Sequence, residues 1–154
     1  MYISAMTKNN IFAALESHLQ AAVKEGESHL SSLQDALASE AKSTAGDKHE
    51  TGRAMIHQEM RQVNGTLQRS RLALQELTRM QSSSEPALRV ASGVLVETNG
   101  PWVLVGLPFG KLDVEGTLVL GVSSEAPLAK SWSGAELGDE VRMGPSTFLI
   151  KALH

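Results

Sequence analysis

Two carboxylates three residues apart, Asp47 and Glu50, lie within the stretch Gly46-Asp47-Lys48-His49-Glu50-Thr51-Gly52. If Asp47 opens a helix, that spacing puts both on one face of its first turn. Two chemistries fit. An Asp at a helix start accepts bonds from orphan backbone N–H groups, and a carboxylate three residues later completes an arrangement like a capping box that suits the positive end of the helix dipole. Exposed at a turn, the same oxygens would instead complete the shell of a hard cation such as Mg2+, which takes few protein carboxylates and fills the remainder with water and substrate phosphate. The spacing leaves both readings open. His49, beside the pair, would add a nearby proton or charge.

The elements that must position these residues are two helical segments. Downstream, Ile56, Met60, Val63, Leu67, Leu74 and Leu77, with Ser70 filling the gap, recur at alternating spacings of four and three, a heptad seam. Upstream, Phe12, Leu15, Leu19, Val23, Leu30, Leu33 and Leu37 mark a second stripe, with Gly26 where another large residue would be expected. Two such stripes predict an antiparallel coiled-coil hairpin with 46–50 at its turn. Arms of roughly thirty residues at about 1.5 Å rise would carry that turn about 45 Å from the base. The first arm is expected from Ile11 to Ser43, capped by Thr7 or Asn9-Asn10, and the second from Asp47 to Met80. Gly26 and several serines weaken the first arm, which is expected to be the less stable one.

At Gln81-Ser82-Ser83-Ser84-Glu85-Pro86 the heptads stop and a proline breaks the helix. Beyond it the period becomes two. Strands are expected at Gly93–Thr98 and Trp102–Gly106 around an Asn99-Gly100 turn, then near Thr117–Ser123 after a Glu115-Gly116 turn, Glu140–Met143 and Thr147–Ala152, with a short helix near Pro127–Ser131. The fold class is therefore α+β: a hairpin over residues 1–80, a linker over 81–86 and a small sheet domain over 87–154. Trp102, Phe109, Trp132 and Phe148 read as its core.

Composition excludes several function classes. The chain has no cysteine, which removes disulfide scaffolds, thiolate zinc sites and cysteine nucleophiles. Its net charge is −3, and neither half is a polycation, so no independent DNA or RNA binding is expected. No apolar run reaches the roughly twenty residues a bilayer demands. The start, Met1-Tyr2-Ile3-Ser4-Ala5-Met6, lacks the basic region and long apolar core of a secretory signal, so a cytoplasmic monomer away from membranes is expected. His18, His29, His49, His57 and His154 are too spread to share a metal. No nucleophile, base and orienter set and no phosphate loop occurs, so an independent enzyme is not expected.

Gly46-Asp47 followed by Glu50, between two long helices, resembles the tip of the bacterial Gre transcript cleavage factors. The C-terminal part agrees: Pro127-Leu128-Ala129-Lys130, then Gly134, then Leu137-Gly138-Asp139-Glu140-Val141 is similar to a segment of the Gre FKBP-like domain. The match runs in the same order over nearly the whole chain. The resemblance implies a coiled coil inserted into the secondary channel of RNA polymerase while the C-terminal domain holds its rim. Asp47 and Glu50 would help hold a Mg2+ shared with the polymerase, which then hydrolyses backtracked RNA at its 3′ end and remains the catalyst. No metal would be bound by the factor alone. The family's basic region implies RNA or polymerase contacts from Lys48, His49, Arg53 and Arg61. Pro127, Leu128 and Lys130 fall where the polymerase would be docked.

The chain also departs from the family pattern. Lys48 stands where an apolar residue is usual, Thr51 where Asn is, Arg53-Ala54 where an acidic-aromatic pair is, Ala126 where Ser is, and Ala135 where Lys is. The carboxylates remain and their surroundings change. One alternative is therefore a channel-binding regulator or inhibitor that does not stimulate cleavage. A second, of another class, is a coiled-coil adaptor that pairs with a partner helix.

Overall fold

Thr7 sets the first helix. Its hydroxyl accepts the Asn10 N–H at 3.2 Å while the Asn10 side-chain oxygen accepts the Thr7 N–H at 3.1 Å, a reciprocal cap with Asn in the place of the usual Glu. Helix α1 therefore runs Lys8–Ala41, three residues earlier than the apolar stripe alone predicts, and helix α2 runs Gly46–Ser82. The computed structural model describes residues 7–41, 46–83 and 86–154; for residue 41 and residues 46–49 it describes the backbone only. The stretch 46–50, expected as the turn, is instead the start of α2, while residues 42–45 and, within the expected linker, residues 84–85 lie outside the described residues.

Every position of the two expected stripes is buried or half-buried, from Phe12 to Leu37 in α1 and from Ile56 to Leu77 in α2, while most of their neighbours are exposed. Leu19, Leu33 and Leu67 are the best shielded of those between residues 17 and 74. Contacts between the helices run in opposite senses. Gly26 faces Leu67, His29 reaches Glu59 and Glu40 faces Gly52, so numbers climb in one helix as they fall in the other. The pair is an antiparallel helical hairpin.

The C-terminal part forms one mixed sheet of six strands in the order β3-β4-β2-β1-β6-β5. The strands are β1 Leu95–Thr98, β2 Trp102–Val105, β3 Gly110–Val114, β4 Thr117–Val122, β5 Glu140–Met143 and β6 Ser146–Leu153, with helix α3 at Pro127–Trp132. Strand β3 corrects the sequence reading, which has no strand there. It is an edge strand whose pattern is mostly exposed, so it lacks the apolar run that marks the others. It pairs with β4 through a two-residue turn at Glu115 and Gly116, both with positive φ, 52° and 87°. That is the conformation a tight hairpin favours. At Asn99-Gly100 neither residue has positive φ. There the Thr98 hydroxyl accepts the Gly100 N–H at 2.9 Å and donates to the Pro101 carbonyl, while Asn99 exchanges bonds with Leu149.

Alternation sorts the strands into two faces. Val96, Val103, Val105 and Ile150 join Val90, Ala129, Trp132 and Val141 in one buried cluster. Leu95, Trp102 and Leu104, one residue out of phase, are buried as well, so the central strands are covered on both sides. Between β1 and β6 the register shifts after Glu97, opposite Ala152, to Thr98, opposite Ile150. The bulge leaves Lys151 over and keeps both Ile150 and Leu153 on the cluster side. At the β5 edge the Trp132 indole N–H donates to the Arg142 carbonyl at 2.8 Å. An edge acceptor that could recruit a foreign strand is thereby occupied.

The chain divides into two compact units, Ser17–Leu74 and the remainder, Met1–Glu16 with Gln75–His154. The first is the greater part of the hairpin. The second contains the sheet, α3 and the terminal stretches of α1 and α2.

Two stability measurements test these assignments. Glu115→Asn places a residue tolerant of positive φ in the turn and is expected to raise stability by about 0.5–1 kcal/mol. Trp132→Phe removes the donor to Arg142 together with ring volume, and is expected to cost about 1–3 kcal/mol. Both should appear as shifts of the urea midpoint at constant slope.

Candidate functional site

Helix α2 begins at Gly46, one residue before the expected opener, so Asp47 and Glu50 both lie in its first two turns. The side chains of Asp47, Lys48 and His49 are outside the described residues. Glu50 is exposed, as are Thr51, Arg53 and Ala54. Glu50 therefore presents an exposed carboxylate near the start of the second helix.

Gly52 follows two residues later in the same helix. A Cβ built on it would stand 2.7 Å from Glu40 Oε1 and 3.2 Å from the Glu40 carboxyl carbon, so the carboxylate lies against bare helix backbone. Gly52 is four residues before Ile56 and Glu40 three after Leu37, which makes them the next layer of the same seam. The sequence reading did not single out Glu40. Its signal was the heptad spacing, which continues onto a carboxylate and a glycine where the apolar residues stop.

Farther along the hairpin, Gly26 leaves a notch of about 340 Å3 beside Ala22, Val63 and Leu67. A Cβ there would come 3.2 Å from Leu67 Cδ1. Polar links cross the same gap: His29 Nε2 is 3.1 Å from Glu59 Oε1, and Arg71 donates to Glu27 at 3.4 Å. Their side chains are about half exposed, so each contributes little beside the buried seam.

The arginines of α2 divide into two groups. Arg69 donates to the Thr66 hydroxyl, Arg71 meets Glu27, and Arg79 pairs with Glu76. The Arg79 hydrogen bond holds the Glu76 carboxyl below the usual carboxylate range and raises Arg79 in turn. Arg53 and Arg61 are exposed and form no ion pair with another described residue. Arg61 and His57 border a shallow cleft of about 350 Å3 with Leu30, Gln34, Met60 and Asn64. Among the described arginines of α2, these two lie nearest the turn and are left for an external anion.

In the sheet-bearing unit, Pro127 takes the first position of α3, where its missing N–H costs nothing, and Ala126 supplies no side-chain cap. Pro127 and Lys130 are exposed, whereas Leu128 packs partly against the core. Lys130 Nζ is 3.4 Å from Glu125 Oε2. A separate cleft of about 490 Å3 collects Lys8, Arg79, Arg89 and His154. It is a poor anion site, because Arg79 is matched by Glu76, Arg89 by Glu136 at 3.2 Å and His154 by Glu97 at 3.1 Å.

Among the described residues, no three His, Asp or Glu side chains converge to hold a metal ion. Nor is any described helix long and apolar enough to cross a membrane. Comparison of the chain with protein-family models, curated proteins and solved structures finds no match.

Gly65, unlike Gly26 and Gly52, meets only its own helix's Arg69, at 3.5 Å. Gly65→Ala is therefore expected to gain helix propensity without collision. It should stabilise the protein by about 0.5–1 kcal/mol, read from the urea midpoint.

Proposed function

We propose that the chain is a Gre-like accessory factor of RNA polymerase, whose hairpin acts as a coiled coil inserted into the secondary channel and whose sheet acts as an FKBP-like docking domain. The observation that carries this reading is Glu50: an exposed carboxylate in the second turn of α2, immediately after the hairpin turn, with Asp47 three residues before it in the same helix. Exposed carboxylate oxygens are the donors a hard cation takes, and one or two of them suffice when substrate phosphate and water fill the remaining positions. Asp47 and Glu50 would together hold a Mg2+ shared with the polymerase. Such a cation supplies water activation and charge stabilisation for phosphodiester hydrolysis at the polymerase's own centre. The chain's own part is to bring oxygens there and keep them oriented.

Two further groups support the reading. Arg53 and Arg61, exposed and unmatched among the described residues, suit RNA phosphate or an acidic polymerase surface, with Lys48 and His49 closer to the turn. Pro127 and Lys130 lie on the exposed side of α3, where docking would occur. A channel-binding regulator without cleavage is the second reading, favoured by Lys48 and Thr51 beside the carboxylates. The coiled-coil adaptor would need its seam open to another helix, and Leu33 and Leu67 are closed.

Stalled, backtracked elongation complexes with Mg2+ provide the test. The protein is expected to shorten the RNA, and Asp47→Ala with Glu50→Ala should abolish this while leaving polymerase binding. Arg53→Glu with Arg61→Glu should weaken binding and flatten its salt dependence. Reduced RNA synthesis with no shortened RNA would replace the cleavage reading by the regulator. A wild-type protein that neither binds polymerase nor changes its products would overturn both.

A further inference from the structure

The Glu40 and Gly52 layer is unusual for a seam, since it sets a carboxylate where heptad spacing calls for an apolar side chain and no side chain opposite. We infer that Glu40, seated on Gly52, is a positioning residue that fixes which side of α2 faces α1 at the turn and thereby holds Glu50 toward solvent. The inference rests on the proposed role of the turn carboxylates.

The geometry argues for it in three steps. Glu40 is half-buried, and its Oε1 lies where a Cβ on Gly52 would be only 2.7 Å away, so any side chain at 52 would push the carboxylate off the helix. Glu50 precedes Gly52 by two residues, which is about 200° round an α-helix. Turning Gly52 toward α1 therefore turns Glu50 away from it. The electrostatics agree in sign. A carboxylate is disfavoured at the negative end of α1 and favoured beside the positive end formed by the first turns of α2. Glu40 gains by lying across the gap against α2. A polar residue at one seam position is also the known means by which helix pairs fix register at some loss of stability.

Among the described residues, no other layer of the hairpin sets a carboxylate against a glycine. The Gly26 layer is apolar and lies far from the turn, and the His29 and Glu59 pair is half exposed.

Because the chain has no cysteine, thiols introduced at the exposed Ala38 and Ala54 would be its only two. Nitroxide labels on them report the spacing of the arms at the turn by pulsed electron resonance. A narrow distance distribution is expected for the parent protein and for Glu40→Gln, which keeps the shape. Broad or shifted distributions are expected for Glu40→Ala and Gly52→Leu, with helix content by circular dichroism unchanged. In the cleavage assay, unlabelled Glu40→Ala should bind polymerase at the parent concentration, with its saturated rate lowered on the order of tenfold and its Mg2+ requirement raised.

Distributions unaltered by Glu40→Ala and Gly52→Leu would overturn the inference even if the parent cleaves RNA. Broadening accompanied by loss of helix content would overturn it too, as general unfolding. If the parent shows no cleavage but the distributions change as expected, the proposed function fails and the positioning role stands.

Discussion

Helical phase is the constraint on which the hairpin depends: two long helices can bury one stripe each, and whatever occupies that stripe decides what the other residues face. The magnitudes rank the contributors. Burying a leucine such as Leu33 or Leu67 is worth about 1.5–3 kcal/mol, whereas a half-exposed pair such as Arg71 and Glu27 is worth at most about 1 kcal/mol. The apolar layers therefore set alignment along most of the length. Near the turn they give way to Glu40 and Gly52, and there polar fit and close approach take over.

The sheet solves a different problem. Strands β1 and β2 are buried on both faces, so the two long edges of the sheet are its exposed flanks. Each is managed locally. Strand β5 has an acceptor taken by the Trp132 indole, and β3 carries Lys111 and Asp113 on exposed positions of a short strand. The bulge between β1 and β6 lets the last strand keep Ile150 and Leu153 on the same side of the sheet although they are an odd number of positions apart.

Much of this was legible because long elements repeat their signal. The two apolar stripes recur over several turns, and all their positions prove shielded. Short elements carry too few residues for that. Strand β3 shows apolar side chains only at Leu112 and Val114, which an irregular loop could equally contain. The turns show how local chemistry is overridden by tertiary contact. Asn99-Gly100 has the residues of a tight turn, yet Gly100 is held against the Phe148 ring and Asn99 is bonded to β6; Glu115-Gly116, the weaker pair by composition, adopts the tight form. For the candidate site, the exposure of Glu50 followed from its place outside the stripe. Glu40 and Gly52 carry no apolar signal, so only the continuation of the heptad spacing marks their layer.

The discontinuity of the sheet-bearing unit bears on how the protein is made. Ile11, Phe12 and Leu15 are almost wholly shielded, and the unit to which they belong is completed only by residues from Gln75 onward. A nascent chain leaving the ribosome presents these three side chains to water long before their companions exist. For that interval they form a greasy segment, the kind a chaperone recognises, and their burial waits until the chain from Gln75 onward has been made.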